Sequence, residues 1–206
     1  PVAFRGPAEV EIRTANGVER VRVEVEQRAQ TFDLPADGEP TWVVFDAHGW
    51  WPARIASARS RGEWLALLAD SDDVNRRRDA AVALGEALAS SFGDRERWQV
   101  AEALLAALSS DRCASVRAAA ARALGSVSGP ADHPIAQRLA AAAAADEEAV
   151  VRVAALQALA KWNPSAQWAD FGRAQFDAGF SYVTMAAAAA AVIANDAEGG
   201  REWLAS

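Results

Sequence analysis

Residues 117–124 read RAAAARAL, and similar sequences occur twice more in the chain. The other two copies are RRDAAVAL at residues 77–84 and RVAALQAL at residues 152–159. The offsets between the copies are 40 and 35 residues, which lie within the range typical of stacked helical repeats. The spacing therefore predicts an array of helical repeats in the second part of the chain.

The composition of each copy is that of a helix packed between two neighbours. Val116 and Val151 precede the second and third arginines, and a leucine closes the same helical face two turns later. The alanines between them allow a neighbouring helix to approach closely. Acidic residues precede every copy, where the positive end of the helix dipole favours negative charge.

The segments between the copies are predicted to form the outer helix of each repeat. We expect these helices near residues 94–109, 132–145 and 164–176. A weaker fourth copy at 183–191 has Thr184 at the position of the arginine. Each helix pair would bury its apolar face by stacking on the next pair.

The first part of the chain has the period of β-strands instead. Apolar and polar residues alternate, which places the apolar side chains on one face of a strand. Asn16-Gly17 separates the first two runs and is a strong hairpin signal. We predict antiparallel strands that form half of a small β-sandwich, with its first strands upstream of Pro1. The predicted strands lie at 9–13, 19–26, 30–34 and 41–46.

The whole chain is thus predicted to be an α+β protein, with a β-domain at 1–57 and a helical repeat domain at 58–206. The net charge of −7 argues against the basic surface of a nucleic-acid-binding protein. The alanine-rich runs are far shorter than the roughly 20 residues needed to cross a bilayer. Cys113 is the only cysteine, so no internal disulfide can form, and we expect a cytoplasmic protein.

The repeats resemble HEAT repeats, and residues 116–124 and 151–159 are typical of that family. The β-part resembles the late β-sandwich domain of the aminopeptidase N family of zinc metallopeptidases, in its succession EVEIRT (9–14), GVE (17–19), VEVEQ (23–27), QTFDLP (30–35) and WVVFD (42–46). In that family, a strand ending in Phe-Asp is followed by a helical, HEAT-like C-terminal domain. Here RGEWL at residues 61–65 would open such a domain.

The chemistry of that family is missing from this chain. It rests on a His-Glu-x-x-His motif whose two histidines hold zinc. The only histidines here are His48 and His133, and neither is followed by the required partner. No catalytic residue, metal ligand or cofactor site can be assigned, and zinc is expected only in a catalytic domain upstream of Pro1.

Two hypotheses about function follow. The resemblance implies the non-catalytic C-terminal region of an aminopeptidase N-like enzyme, which would shape and cover the peptide-binding chamber. Its partner would then be the upstream catalytic domain of the same polypeptide. The alternative is a free-standing HEAT-repeat scaffold that binds peptides or a protein partner on its concave face.

Five residues are candidates for an interface. Trp50 and Trp51 follow the last predicted strand and would anchor a partner or the missing domain, or pack the junction with the helices. Arg77, Arg117 and Arg152 recur in register and would bind peptide carboxylates. In the alternative interpretation, each arginine pairs with acidic residues of the neighbouring repeat.

Overall fold

A computed structural model describes residues 5–52, 55–89, 93–127, 129–162, 164–179 and 181–206. Within these residues a three-stranded antiparallel sheet precedes nine α-helices, which confirms the predicted α+β class with a helical repeat region. The chain divides into two compact units: the β-unit ends at Ala66, and the helical unit begins at Leu67.

The sheet of the β-unit has the strand order β2-β1-β3. Strand β1 spans Gly6–Thr14, β2 spans Gly17–Val25 and β3 spans Trp42–Phe45. The hairpin between β1 and β2 turns at Asn16, where the sequence predicted it, with Thr14 opposite Gly17. Strand β3 pairs with the other edge of β1, with Val10 opposite Phe45.

The predicted strand at 30–34 is wrong, because this segment is not part of the sheet. The side chain of Gln30 accepts hydrogen bonds from the backbone N–H groups of Glu26 and Gln27. The chain therefore turns after β2 instead of continuing as a strand. Phe32 and Leu34, together with Trp51, pack against the buried apolar side chains of β1 and β2.

The helices of the repeat region alternate between two rows. Helices α2, α4, α6 and α8 pack against one another in sequence, and we call them the inner row. Helices α3, α5 and α7 pack on α4, α6 and α8 respectively and form the outer row. The bounds are α1 Arg61–Asp70, α2 Val74–Ala89, α3 Asp94–Ser110, α4 Ala114–Leu124, α5 Pro134–Ala145, α6 Ala149–Ala160, α7 Ala166–Asp177, α8 Tyr182–Asn195 and α9 Ala197–Ala205.

The three recurrent stretches lie on α2, α4 and α6, and the weaker fourth copy lies on α8. Alanine dominates the buried positions of the inner row because adjacent helices approach closely there. Thr184, at the fourth arginine position, is completely buried and its hydroxyl lies 2.9 Å from that of Ser181.

Polar side chains at the helix starts explain several of these boundaries. Ser165, Ser181 and Asp196 each accept a hydrogen bond from a backbone N–H in the first turn of the following helix. His133 does the same at α5, where its Nδ1 accepts from the N–H of Ile135 and Pro134 occupies the first helical position. The role of His133 is thus to cap a helix.

Candidate functional site: the face of the inner helices

The recurrent arginines lie inside the helical unit and join successive repeats. The Nε and Nη2 groups of Arg77 donate to the two carboxylate oxygens of Asp111, at 2.7 and 3.1 Å. Its Nη1 donates to the backbone carbonyls of Ser71 and Asp72, at 2.8 and 3.0 Å. One guanidinium therefore binds the turn that precedes its own helix and the corresponding turn of the next repeat.

Arg117 makes the same arrangement of contacts in the next repeat. Its Nε and Nη2 both donate to the carboxylate of Asp146 at 2.9 Å, and its Nη1 donates to the carbonyl of Asp111 at 2.9 Å. The side chains of Arg117 and Asp146 are only 9% and 10% exposed. Arg152 binds the equivalent carbonyls of Asp146 and Glu147 through its Nη1, at 2.7 and 3.0 Å.

These contacts give the arginines a structural task. The carbonyls that they bind follow the C-termini of α1, α3 and α5, where a cation also complements the helix dipole. The alternative interpretation, pairing with an acidic residue of the neighbouring repeat, describes the contacts of Arg77 and Arg117. An interface role for Arg77, Arg117 and Arg152 stays a prediction.

The two carboxylates that pair with these arginines, those of Asp111 and Asp146, have lowered pKa values. Burial alone would raise the pKa of Asp111, but hydrogen bonds from the Arg77 guanidinium and the Cys113 backbone N–H lower it below its usual value. Burial likewise opposes ionisation of Asp146, and hydrogen bonds from Arg117 and the backbone of Glu148 lower the pKa of that carboxyl. Both groups are therefore held in the charged form.

The lowered pKa of Asp146 predicts how stability depends on pH. A carboxyl whose folded-state pKa is depressed stabilises the fold above its unfolded pKa of about 3.9, and this contribution is lost as pH falls through the folded-state value. We expect Asp146→Asn to reduce the free energy of unfolding most above about pH 5. The difference from wild type should shrink progressively in more acidic buffer, as followed by urea unfolding across a pH series.

A matched change on the surface is the control for this experiment. Asp132 is an exposed aspartate just before α5, and Asp132→Asn should show little of this pH-dependent difference. A penalty for Asp146→Asn that stays constant down to about pH 2 would contradict the proposed ion pair.

The two candidate tryptophans differ in their surroundings. Trp51 donates from Nε1 to the carbonyl of Pro7 at 2.8 Å and makes an edge contact with Phe45 at 6.0 Å. Trp51 thus belongs to the packing of the β-unit. Trp50 is 74% exposed and stacks on His48, with 5.1 Å between the ring centroids. A role for Trp50 as an anchor stays a prediction.

The helical unit carries a groove along the inner row, which we call the apolar groove. It encloses about 530 Å³ between α2 and α4 and extends to Val150 at the start of α6. Val82 and Val150 are 50% and 44% exposed, so two large apolar side chains face solvent at this groove. The groove is lined by Arg78, Val82, Gly85, Glu86, Ala89, Ser115, Ala118, Ala119, Arg122, Ala123, Ser126 and Val150.

Small residues give the apolar groove its floor. Ala118, Ala119 and Ala123 of α4 lie there, and Gly85 faces them from α2. A Cβ atom on Gly85 would lie 2.7 Å from the Cβ of Ala123, which is closer than two non-bonded carbon atoms approach in proteins. The small size of the residues at these positions allows α2 and α4 to pack closely and leaves the space above them open.

A second depression follows along the same row, and we call it the cationic pocket. It encloses about 270 Å³ and reaches from α4 across α6 to α8. Arg122 lines both the apolar groove and the cationic pocket, so the two sites adjoin. The pocket is lined by Arg122, Gln157, Ala158, Ala160, Lys161, Ala187 and Ala190.

The residues that line these two sites, other than as parts of the repeats, carry no motif in the sequence. Arg122 lies five positions after Arg117, at the position that Val82 and Gln157 occupy in the other copies. Three dissimilar residues at one position of otherwise similar repeats indicate a position that packing does not constrain. That variation was the available signal for the exposed face of the inner row.

Other kinds of site have no support in the described residues. They contain no group of three or more His, Cys, Asp and Glu side chains that could hold a metal ion. His48 instead lies 2.9 Å from the carboxylate of Glu9. In the same part of the chain, no helix has the length and apolar character needed to cross a membrane.

Comparison with known proteins supports the repeat assignment. Residues 62–160 match the family model described as HEAT repeats, a stretch that covers nearly all of α1 to α6. No curated protein matches the chain. The repeat region is therefore HEAT-like, as its sequence predicted, whereas the match provides no link to the aminopeptidase N family.

Proposed function

We propose that this protein is an interaction scaffold whose inner helices hold an extended segment of a partner protein in the apolar groove. The observation that carries the proposal is the pair of exposed valines, Val82 and Val150, above an alanine floor. Burying apolar side chains of a partner there would remove this surface from water, at about 25 cal/mol for each Å². HEAT-type arrays commonly use the face of one helical row in this way.

The form of the site favours a peptide over other ligands. The apolar groove adjoins the cationic pocket at Arg122, so the binding surface crosses several inner helices. An extended chain can contact such a surface over its length, with side chains entering separate depressions. A nucleic acid is disfavoured because the protein carries a net charge of −7.

The proposal is tested by selecting peptides from a random display library on the full chain. We expect selected peptides to bind the variant Val82→Gln/Val150→Gln about tenfold more weakly than wild type, since the variant loses the apolar contact. The measurement is fluorescence anisotropy with a labelled synthetic copy of each selected peptide.

The matched control is Val18→Gln, which changes a valine of β2 with a comparable exposure of 41%. It should leave peptide affinity unchanged. Peptides that bind Val82→Gln/Val150→Gln as tightly as wild type would show that the groove is not the binding site.

The finer predictions derived from the aminopeptidase N resemblance stay predictions. They comprise the chamber-covering role, the partnership with an upstream catalytic domain, the division of the chain at 57/58 and the cytoplasmic location. A His-Glu-x-x-His motif upstream in the same reading frame would support the first two, and its absence from the gene would reject them.

A further inference from the structure

The two sites on the inner row differ in the charged side chains that line them: the apolar groove includes Glu86, whereas the only charged side chains of the cationic pocket are cations. Arg122 and Lys161 both line the cationic pocket, and none of its lining residues is acidic. This concentration of positive charge occurs in a protein whose net charge is −7. The cationic pocket is therefore opposite in sign to the protein as a whole.

Arg122 and Lys161 also differ from three arginines of the helical unit in how their charge is neutralised. Arg77, Arg117 and Arg173 each pair with an aspartate within the helical unit. Arg122 and Lys161 make no ion pair or side-chain hydrogen bond with the residues that the structure describes. Both lie at the C-terminal end of an inner helix, where the dipole favours a cation but provides no counter-ion.

We propose that the cationic pocket binds a carboxylate side chain of the partner, so that the segment held by the inner row is an acidic peptide. This inference rests on the proposed function, because it extends the peptide from the apolar groove into the adjoining pocket. Arg122 would donate to the carboxylate through its planar guanidinium, and Lys161 would contribute a second charge. The amide of Gln157 lies in the same pocket as a further donor.

The spacing of the two sites defines the peptide further. The apolar groove lies between α2 and α4, whereas the cationic pocket is centred on α6 and reaches α8. Neighbouring packed helices lie about 8–10 Å apart, so the sites are separated by roughly 10–20 Å. An extended chain covers that distance in about three to six residues. The partner segment would thus carry a large apolar residue and, about three to six residues away, Asp or Glu.

The experiment compares peptide selections from one random display library on three forms of the full chain. These are wild type, Arg122→Gln/Lys161→Gln and the control Arg138→Gln, which removes an exposed arginine of the outer helix α5. Wild type and Arg138→Gln should select peptides with an acidic residue at the expected distance from an apolar residue. Arg122→Gln/Lys161→Gln should lose the acidic preference and keep the apolar one.

Affinity measurements on the best peptide complete the test. Arg122→Gln/Lys161→Gln should weaken binding about tenfold, the value expected for a charge-assisted hydrogen bond. Replacing the carboxylate of the peptide by an amide should weaken binding to wild type similarly, yet have little further effect on the variant. Because this second change is made in the peptide, it does not depend on the folding of a protein variant.

The outcomes separate the inference from the function on which it rests. Peptides that depend on Val82 and Val150 but bind Arg122→Gln/Lys161→Gln as tightly as wild type would overturn the acidic-peptide inference alone. Selection of no peptide that depends on Val82 and Val150 would overturn the proposed function and the inference with it.

Discussion

Replacing Gly85 by valine is expected to lower the free energy of unfolding of the helical unit by about 3 kcal/mol. A Cβ atom at this position would lie 2.7 Å from the Cβ and 2.9 Å from the Cα of Ala123. The second of these atoms belongs to the backbone of α4, so a side-chain rotation cannot relieve the clash. The helices α2 and α4 must separate, which also deforms the floor of the apolar groove.

Alanine substitutions provide the sharpest form of this test, because the same change should have opposite signs at two glycines. Gly62 is exposed in α1, and a Cβ there would meet only the hydroxyl of Ser60 at 3.8 Å. Gly62→Ala should therefore stabilise by up to about 1 kcal/mol through helix propensity. Gly85→Ala should destabilise, as measured by urea unfolding. Equal stabilisation by both substitutions would disprove close packing of α2 on α4.

The second large effect is expected for Arg117→Met. This substitution leaves the carboxylate of Asp146 without its principal partner in a largely buried site and removes the hydrogen bond to the carbonyl of Asp111. Loss of one member of a buried ion pair costs about 3 kcal/mol, which corresponds to a fall in melting temperature of roughly 10 °C. Differential scanning calorimetry measures both quantities.

A second variant distinguishes the ion pair from a general loss of packing. Adding Asp146→Leu to Arg117→Met removes the stranded charge, and we expect much of the lost stability to return. Arg138→Met, an exposed change on α5, should alter the melting temperature by less than about 2 °C. A melting temperature for Arg117→Met that matches that of Arg138→Met would show that the ion pair between Arg117 and Asp146 contributes little to stability.

The repeat region could be predicted from the sequence because its packing is local and periodic. The arginine at the start of each copy recurs because each one binds the turn before its own helix, a contact only five or six residues away along the chain. The same periodicity placed the outer helices close to their observed positions. Regular contacts between neighbouring repeats leave a regular pattern in the sequence.

The β-unit was predicted less well because its strands depend on non-local pairing. The segment 30–34 alternates in the manner of a strand, yet Phe32 and Leu34 serve as cover for the sheet. An alternating run on a sheet and one lying across it both place every second side chain against the core. The sequence alone does not distinguish these two arrangements.

The proposed binding face could not be predicted from the sequence, for a different physical reason. An arginine occupies the position of Arg117 in all three copies, so this residue could be selected from the sequence. The position of Arg122 holds no arginine in the other two copies. Recurrent positions are those that every repeat needs for packing, and a binding surface uses the positions left free to vary. Only the arrangement of α2, α4, α6 and α8 shows which of the variable positions share a face.

Hydrogen–deuterium exchange can show whether the inner row of the helical unit binds a partner segment, as we propose. The measurement compares the full chain alone with the full chain saturated with a peptide selected on it. We expect slower exchange in α2, α4 and α6 and unchanged exchange in the outer helices α3 and α5, because a bound segment restricts the opening of the helices that it contacts. Protection confined to α3, α5 or the β-unit would show that the peptide binds elsewhere than on the inner row.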